Sequence, residues 1–214
     1  MALNRSQDDS PGGNVRVILF DVGGVLVELS GVATILEWTQ GALTAEDVWR
    51  IWLSSPTVRA FETGRSEADA FAADVVRELG LNVTPQQFLA AFARWPTGLY
   101  PGAMQLLARI PRRYRRALLS NSNVIHWPRV TGEMGLTDAV DHCFVSHLTG
   151  KIKPDADAFD HALHSLACAP EHVLFLDDNL LNVEAAQRLG LRAAVVRGPA
   201  EAEQELRRAG IFEE

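Results

Sequence analysis

Carboxylates follow two apolar segments of this chain, at the points where buried strands would end. Asp21 directly follows the apolar run 15–20, and the pair Asp177 and Asp178 directly follows the run 173–176. In open parallel sheets, ligands bind outside the carboxyl ends of the strands. A carboxylate at that edge can act as a nucleophile or bind a cation. An aspartate followed by a turn can also simply cap that turn, so either carboxylate segment alone leaves both interpretations open.

Groups that can donate hydrogen bonds also lie close to the predicted strand ends or at the start of a helix. Gly23 and Gly24 follow the first carboxylate, Ser120 and Asn121 follow the apolar residues 117–119, and a lysine opens a predicted helix at Lys153. Each could be a helix cap, a turn residue or a solvent-exposed side chain. Because parallel strands bring all of these groups to one edge of one sheet, we expect them to form a single site.

The three carboxylates predict a bound cation. Asp21, Asp177 and Asp178 would repel one another strongly at one edge, and Lys153 supplies a single positive charge. A hard divalent cation with oxygen ligands offsets such repulsion, and Mg²⁺ is the usual ion where a phosphate is bound. The serine hydroxyl, the asparagine amide and the backbone N–H groups of the glycine turn could hold a phosphoryl group while a carboxylate attacks it.

Strands and helices alternate over most of the chain, which predicts a parallel α/β sheet. The pattern predicts four buried strands and a weaker fifth one at 143–146, with helices between them. The stronger strands are predicted at 15–20, 117–119, 173–176 and 193–196, and the helices at 102–110, 155–165, 179–189 and 200–209.

The segment 30–98 breaks the alternation. Its apolar residues recur at helical spacing and we find no convincing strand in it, so it predicts a helical insertion after the first strand. The expected organisation is a disordered segment 1–14, an α/β core formed by 15–29 and 99–214, and an inserted helical cap.

Composition limits the classes of partner. The 214 residues carry a formal net charge of −7 and two cysteines without metal-binding spacing. An acidic chain is a poor match for nucleic acid or an anionic membrane, so we expect neither as a partner. Cysteine usage and the absence of a long apolar stretch predict a cytoplasmic protein.

Taken together, the motifs resemble those of the haloacid dehalogenase-like hydrolase superfamily. They occur in the family's order, as Phe-Asp-Val-Gly-Gly-Val-Leu around Asp21, Leu-Leu-Ser-Asn around Ser120, Lys-Pro at Lys153, and Leu-Asp-Asp-Asn around Asp178. The pattern is most similar to the bacterial sugar-phosphatase branch with a small helical (C1) cap, which is related to the phosphatase domain of epoxide hydrolases.

The resemblance implies a fold, a mechanism and a substrate class. The fold would be a Rossmann-like core with helices on both faces and an inserted cap that closes over the site. Asp21 would form an aspartyl phosphate, Ser120 and Asn121 would bind the phosphoryl oxygens, and Lys153 would stabilise the charge. Mg²⁺ would be held by Asp21, the Gly23 carbonyl and Asp178, with Asp177 acting directly or through water. The substrate would be a small phosphate ester such as a sugar phosphate, and the protein a monomer or homodimer.

One position departs from the family pattern. Many of its phosphatases carry an acid/base aspartate two residues after the nucleophile, where this chain has Gly23. A positioned acid/base contributes roughly 10²–10⁴-fold to the rate. Three explanations are open. The leaving group is good enough to need no proton, or a cap side chain or an ordered water replaces the aspartate (Glu62, Arg65 and His126 are candidates), or the reaction is not phosphate transfer.

Three activities therefore stay open. A 2-haloacid dehalogenase expels halide and needs no proton, but such enzymes typically have Ser-Ser-Asn where this chain has Asp177 and Asp178. A phosphatase fits the acidic pair better, and a non-catalytic binding protein would have little reason to keep the whole set. The cap residues that contact substrate cannot be identified from one sequence; Arg59, Glu62, Arg65, Trp95 and Tyr100 are candidates.

Overall fold

A parallel five-stranded sheet forms the centre of the protein. The structure, a computed structural model, describes residues 15–212, so the predicted disordered segment 1–14 lies outside the described residues. The strands are β1 (Val17–Phe20), β4 (Arg115–Ser120), β5 (His142–Val145), β6 (Val173–Asp177) and β7 (Arg192–Val195). Their order in the sheet is β5-β4-β1-β6-β7, and every neighbouring pair is parallel. All five predicted strands are present, with ends shifted by up to two residues.

Helices cover both faces of this sheet, as the apolar strands require. They are α6 (Ala103–Arg109), α8 (Ala156–Leu166), α9 (Leu180–Arg188) and α10 (Gly198–Arg208), and a single-turn helix, α7 (Ser146–Thr149), follows β5. The residues of β1 alternate between the faces: Ile18 and Phe20 pack with α6 and α10, whereas Val17 and Leu19 pack with α8 and α9. This alternation follows from the period of two in a strand. The predicted α/β class and the four predicted helices are confirmed.

Five further helices lie between β1 and β4. They are α1 (Gly31–Trp38), α2 (Ala45–Ser54), α3 (Pro56–Glu62), α4 (Ala68–Glu78) and α5 (Pro85–Phe92), and we call residues 31–92 the helical unit. Its sequence contains clear signals for helix N-termini. Thr44 and Thr84 form capping boxes, and Pro85 occupies the first turn of α5.

The helical unit has a hydrophobic core of its own. Four phenylalanines lie at its centre, and Phe61 and Phe71 stack with ring centroids 4.1 Å apart. Trp52 and Trp95 pack against the same cluster, at 5.3 Å from one another. Because this core is separate from the two clusters on the faces of the sheet, the unit can hold its shape beside the site.

The expectation of no strand in 30–98 is wrong at its end. Residues Pro96–Leu99 form β3, which pairs antiparallel with β2 (Val27–Leu29). These are the two chain segments that lead into and out of the helical unit. Their ladder is short and contains Pro96 and a glycine, so periodicity alone did not indicate a strand.

No helix within residues 15–212 is both long enough and apolar enough to cross a membrane.

Candidate active site

Asp21 lies at the centre of the sheet's carboxyl edge. It follows β1, which is flanked by β4 on one side and β6 on the other, and its backbone N–H donates to Leu176 O at 2.8 Å. Ser120 is the last residue of β4 and Asp177 the last of β6. The chain changes direction across the sheet at β1, and such a switch point opens a crevice for ligands.

Lys153 joins two of the carboxylates. Its Nζ lies 2.8 Å from Asp21 Oδ1 and 2.6 Å from Asp177 Oδ2, and its side chain is 1% exposed. Burial acts to lower the pKa of Lys153, but the carboxylates of Asp177 and Asp21 together raise it. The lysine is therefore held as a buried cation directly beside Asp21.

Asp177 is held in place by Asn182, a residue that the sequence analysis did not identify. The Asn182 amide donates to both carboxylate oxygens at 3.0 and 3.1 Å, and the backbone N–H of Asn179 donates to Oδ1 at 2.8 Å. Asp177 is fully buried and lies outside the cavity lining. These contacts favour an orienting role for Asp177. The sequence gives little indication of this contact, because Asn182 is one polar residue in the first turn of α9.

Asn121 positions the lysine. Its amide Nδ2 donates to Lys153 O and its Oδ1 accepts from Lys153 N, both at 2.9 Å. The paired bonds fix the backbone that carries the lysine, and they occupy the amide oxygen. The predicted contact of Asn121 with phosphoryl oxygens stays a prediction. The hydroxyl of Ser120, by contrast, lines the cavity and makes no hydrogen bond within residues 15–212.

The glycine turn lets a carboxylate approach the backbone. Gly24 has φ +72°, and a Cβ built there would lie 2.1 Å from Asp178 Oδ2. Only glycine fits at this position, because a side chain would clash with Asp178 and would be strained at this positive φ. Gly23 lines the cavity and its backbone is in a region open to any residue, but a Cβ there would lie 2.7 Å from Leu29 Cδ1.

The three carboxylates form a cluster suited to a divalent cation. Ligand atoms of Asp21, Asp177 and Asp178 lie within 4.8 Å of one another. Burial raises the pKa of Asp21 well above its usual range, and the other two carboxylates raise it further against the opposing effect of Lys153. Burial and Asp177 likewise raise the pKa of Asp178. Hard oxygen ligands with excess negative charge fit Mg²⁺.

A cavity of about 200 Å³ opens onto Asp21. The core contributes Ser120 and Lys153 to its lining, and the helical unit contributes side chains from α1 and α2 together with Glu62. Of the five candidate substrate residues, Glu62 and Trp95 line this cavity. Arg59, Arg65 and Tyr100 do not: Arg59 pairs with Asp155 on the core, and Arg65 donates to Thr63 Oγ1 at 2.9 Å.

Two of the groups proposed to replace the acid/base aspartate, Glu62 and His126, line the cavity and differ in protonation. Burial raises the pKa of Glu62 to about 7, so the group carries a proton well above the usual range of a carboxyl. Burial lowers the pKa of His126 to about 4. Its Nε2–H donates to Phe92 O at 2.6 Å, so Nδ1 accepts from the Asn123 amide at 3.1 Å. The neutral His126 ring is thus fully engaged and has no proton to give.

Comparison with known proteins agrees with these motifs. Residues 15–190 match the haloacid dehalogenase-like hydrolase family. The chain is 33% identical to a sesquiterpene phosphatase from Aspergillus oryzae, over 82% of this chain and 87% of that protein. It is 24% identical to a D-ribitol-5-phosphate phosphatase from Bacteroides thetaiotaomicron, over 90% of this chain and 97% of that protein.

A solved structure shares the fold. A haloacid dehalogenase family enzyme from Bacteroides thetaiotaomicron, in complex with magnesium, superposes with a TM-score of 0.71 at 22% identity, covering 91% of this chain and 99% of that one. The fold, the ordered motifs and the match over residues 15–190 lead to one conclusion. The chain belongs to the haloacid dehalogenase-like hydrolase family and is a hydrolytic enzyme.

Proposed function

We propose that this enzyme is a Mg²⁺-dependent phosphatase of small phosphomonoesters that works through an aspartyl phosphate on Asp21. The observation that carries the proposal is the buried contact of Lys153 with Asp21 and Asp177, beside a third carboxylate at the mouth of a cavity. A single ammonium leaves the cluster net negative, and a phosphoryl group requires further positive charge to approach it. The likeness to two phosphatases supports the same assignment.

Asp21 is the nucleophile in this proposal. Lys153 holds Oδ1, which leaves Oδ2 for attack on phosphorus. The Oδ2–P bond forms as the bond between phosphorus and the ester oxygen breaks, and the alkoxide departs with a proton from solvent or a nearby acid. Water then attacks the phosphorus of the aspartyl phosphate as the bond between phosphorus and Oδ2 breaks, which restores the carboxylate and releases phosphate, and the proton of the water passes to solvent. The Ser120 hydroxyl donates a hydrogen bond to a phosphoryl oxygen in both steps.

Asp21, Asp178 and the Gly23 carbonyl would hold Mg²⁺, with Asp177 acting through its neighbours. When bound there, the ion would supply positive charge to stabilise the phosphoryl oxygens. The raised pKa of Asp21 indicates why a cation suits this site, since the nucleophile acts only when it is ionised. The predicted cap, residues 30–98, contains the helical unit and would cover the cavity during transfer.

A 2-haloacid dehalogenase is the second candidate, because Gly23 removes the acid/base side chain that phosphatases commonly use. The acidic pair argues against it. Asp178 adds a negative charge beside Asp21, and a halide leaving group would be repelled rather than stabilised by it. A non-catalytic role is disfavoured by the intact Lys153 and Ser120.

Phosphate release tests the proposal. We would assay ethyl, p-nitrophenyl and sugar phosphates with Mg²⁺ and with EDTA, using wild type, Asp21→Asn and the control Asp160→Asn, which changes an exposed aspartate on α8. We expect release that requires Mg²⁺, is lost in Asp21→Asn and is unchanged in Asp160→Asn. Halide release from 2-chloropropionate with no phosphate release would overturn the assignment.

The two related phosphatases act on a polyol phosphate and on a sesquiterpene compound, so this chain's preference for an ester follows from the lining of its own cavity. The sugar phosphates implied by the resemblance are one candidate class. A cytoplasmic location, a monomeric or homodimeric state, and the absence of nucleic-acid or membrane partners stay predictions.

A further inference from the structure

The helical unit contributes an apolar wall to the cavity that contains Asp21. Six side chains from its first two helices form this wall: Val32, Ile35, Val48, Trp49, Trp52 and Leu53. Trp49 and Leu53 lie one turn apart on α2 and are 44% and 50% exposed, although both line the cavity. Leu29, at the end of β2, is 48% exposed beside them. Such large exposed apolar side chains at one cavity indicate an apolar ligand.

The polar side chains of the cavity are mostly engaged within the protein. The amide oxygens of three asparagines accept from backbone N–H groups, and a fourth asparagine donates to the buried carboxylate of β6: Asn121, Asn123, Asn179 and Asn182. His126 is engaged at both ring nitrogens. Most of the hydrogen-bonding capacity of these groups is therefore used within the protein.

Few polar groups of the cavity keep hydrogen-bonding capacity for the organic part of a substrate. They include the Glu62 carboxyl, which already accepts from the Trp52 indole, and the Ser122 hydroxyl. The Trp95 indole Nε1–H is buried without a partner within residues 15–212. A polyol has a hydroxyl on nearly every carbon and would leave several of them without hydrogen bonds in this cavity, which is unfavourable. A hydrocarbon group loses nothing there and gains from burial against the apolar wall.

We propose that the cavity selects phosphate monoesters whose organic group is a hydrocarbon, and that it discriminates against polyol phosphates of the same length. The inference rests on the proposed function, because it assigns the substrate class of the same site. The phosphoryl group lies at Asp21 and Lys153, and the hydrocarbon lies against α1 and α2.

A series of primary alkyl phosphates tests this without changing the leaving group's acidity. We would compare ethyl, butyl and hexyl phosphate with Mg²⁺, and pentyl phosphate with ribitol 5-phosphate, which has the same number of carbons. We expect kcat/KM to rise about two- to fourfold per methylene until the cavity is filled. We also expect pentyl phosphate to exceed ribitol 5-phosphate by at least tenfold. A flat series, or an equal or better polyol ester, would overturn the proposal.

A matched pair of leucine variants locates the effect. Leu53→Ser changes the cavity wall, and Leu148→Ser changes an exposed leucine on α7 outside the cavity lining. Both residues are at least half exposed, so neither change should unfold the protein. We expect Leu53→Ser to lower the hexyl-to-ethyl ratio of kcat/KM about two- to fivefold and Leu148→Ser to leave it unchanged. Equal ratios in the two variants would contradict the assignment of this wall.

Binding of non-hydrolysable phosphonates separates the two proposals. Titration calorimetry with Mg²⁺ compares hexylphosphonate with methylphosphonate, and we expect at least tenfold tighter binding of the longer one. If no phosphate ester is hydrolysed but this ratio holds, the proposed phosphatase activity is wrong and the inference on the cavity stands. If the ratio is near one, the inference fails, whether or not phosphate is released.

Discussion

Leu29 fills the space in which the missing acid/base side chain would begin. A Cβ at position 23 would lie 2.7 Å from Leu29 Cδ1, whereas the backbone of Gly23 accepts any residue. The leucine is 48% exposed, so it can rotate away. The variant Gly23→Asp therefore introduces the acid only by displacing Leu29, and the pair Gly23→Asp and Leu29→Ala introduces it without the clash.

The size of the effect follows from two contributions. A positioned general acid is worth roughly 10²–10⁴-fold in rate, or about 3–5 kcal/mol of activation free energy. Displacing a half-buried leucine costs about 1 kcal/mol of folding free energy in the single variant, and the double variant avoids this cost. We expect the double variant to gain about 100-fold in kcat/KM for ethyl phosphate, whose leaving alkoxide needs a proton. For p-nitrophenyl phosphate, whose leaving group needs none, we expect a gain of less than threefold.

The assay is steady-state phosphate release from both esters by wild type, Gly23→Asp, Leu29→Ala and the double variant. Leu29→Ala alone reports the effect of the enlarged cavity and is the baseline for the double variant. Equal gains for the two esters would refute the reasoning that the glycine removes leaving-group protonation. No gain for either ester would mean that another group already protonates the leaving oxygen.

Three further predictions concern the positions around the cluster. Gly24→Ala brings a Cβ against Asp178, so we expect the Mg²⁺ concentration for half-maximal activity to rise at least tenfold; Gly80→Ala, also at positive φ but with open space, is the control. Asn121→Leu removes two hydrogen bonds, and urea denaturation should report a loss of about 2 kcal/mol together with a lower kcat. Glu62 has a pKa of about 7 against 4.5 in an unfolded chain, so unfolding becomes easier as pH rises through that interval. The free energy of unfolding of wild type relative to Glu62→Gln should fall by about 3 kcal/mol from pH 4.5 to 7.5; a constant difference would contradict this.

The sheet and the placement of the carboxylates were predictable from sequence. Apolar runs ending in Asp21 and Asp177 indicate buried parallel strands, and parallel strands bring their carboxyl ends to one edge. The structure places Asp21, Lys153 and Asp178 together as expected. These inferences need only local pattern and the geometry of a sheet.

The contacts made across the fold were not predictable. Asn182 reaches Asp177, and Leu29 reaches Gly23, through packing that leaves no periodic signal in the sequence. The apolar wall of the cavity depends on which face of α2 turns inward, and Trp49 and Leu53 share that helix with residues of the separate aromatic core. Sequence spacing shows that a helix is amphipathic but not what its apolar stripe will contact.

Trapping of the covalent intermediate shows whether the phosphoryl group passes through Asp21. The enzyme would be acid-quenched during turnover of its best phosphate ester with Mg²⁺, treated with borohydride and digested, and the peptides examined by mass spectrometry. Borohydride converts an aspartyl phosphate to homoserine. We expect homoserine at position 21, only with both substrate and Mg²⁺. Homoserine at another aspartate, or turnover with none at position 21, would show that Asp21 is not the nucleophile.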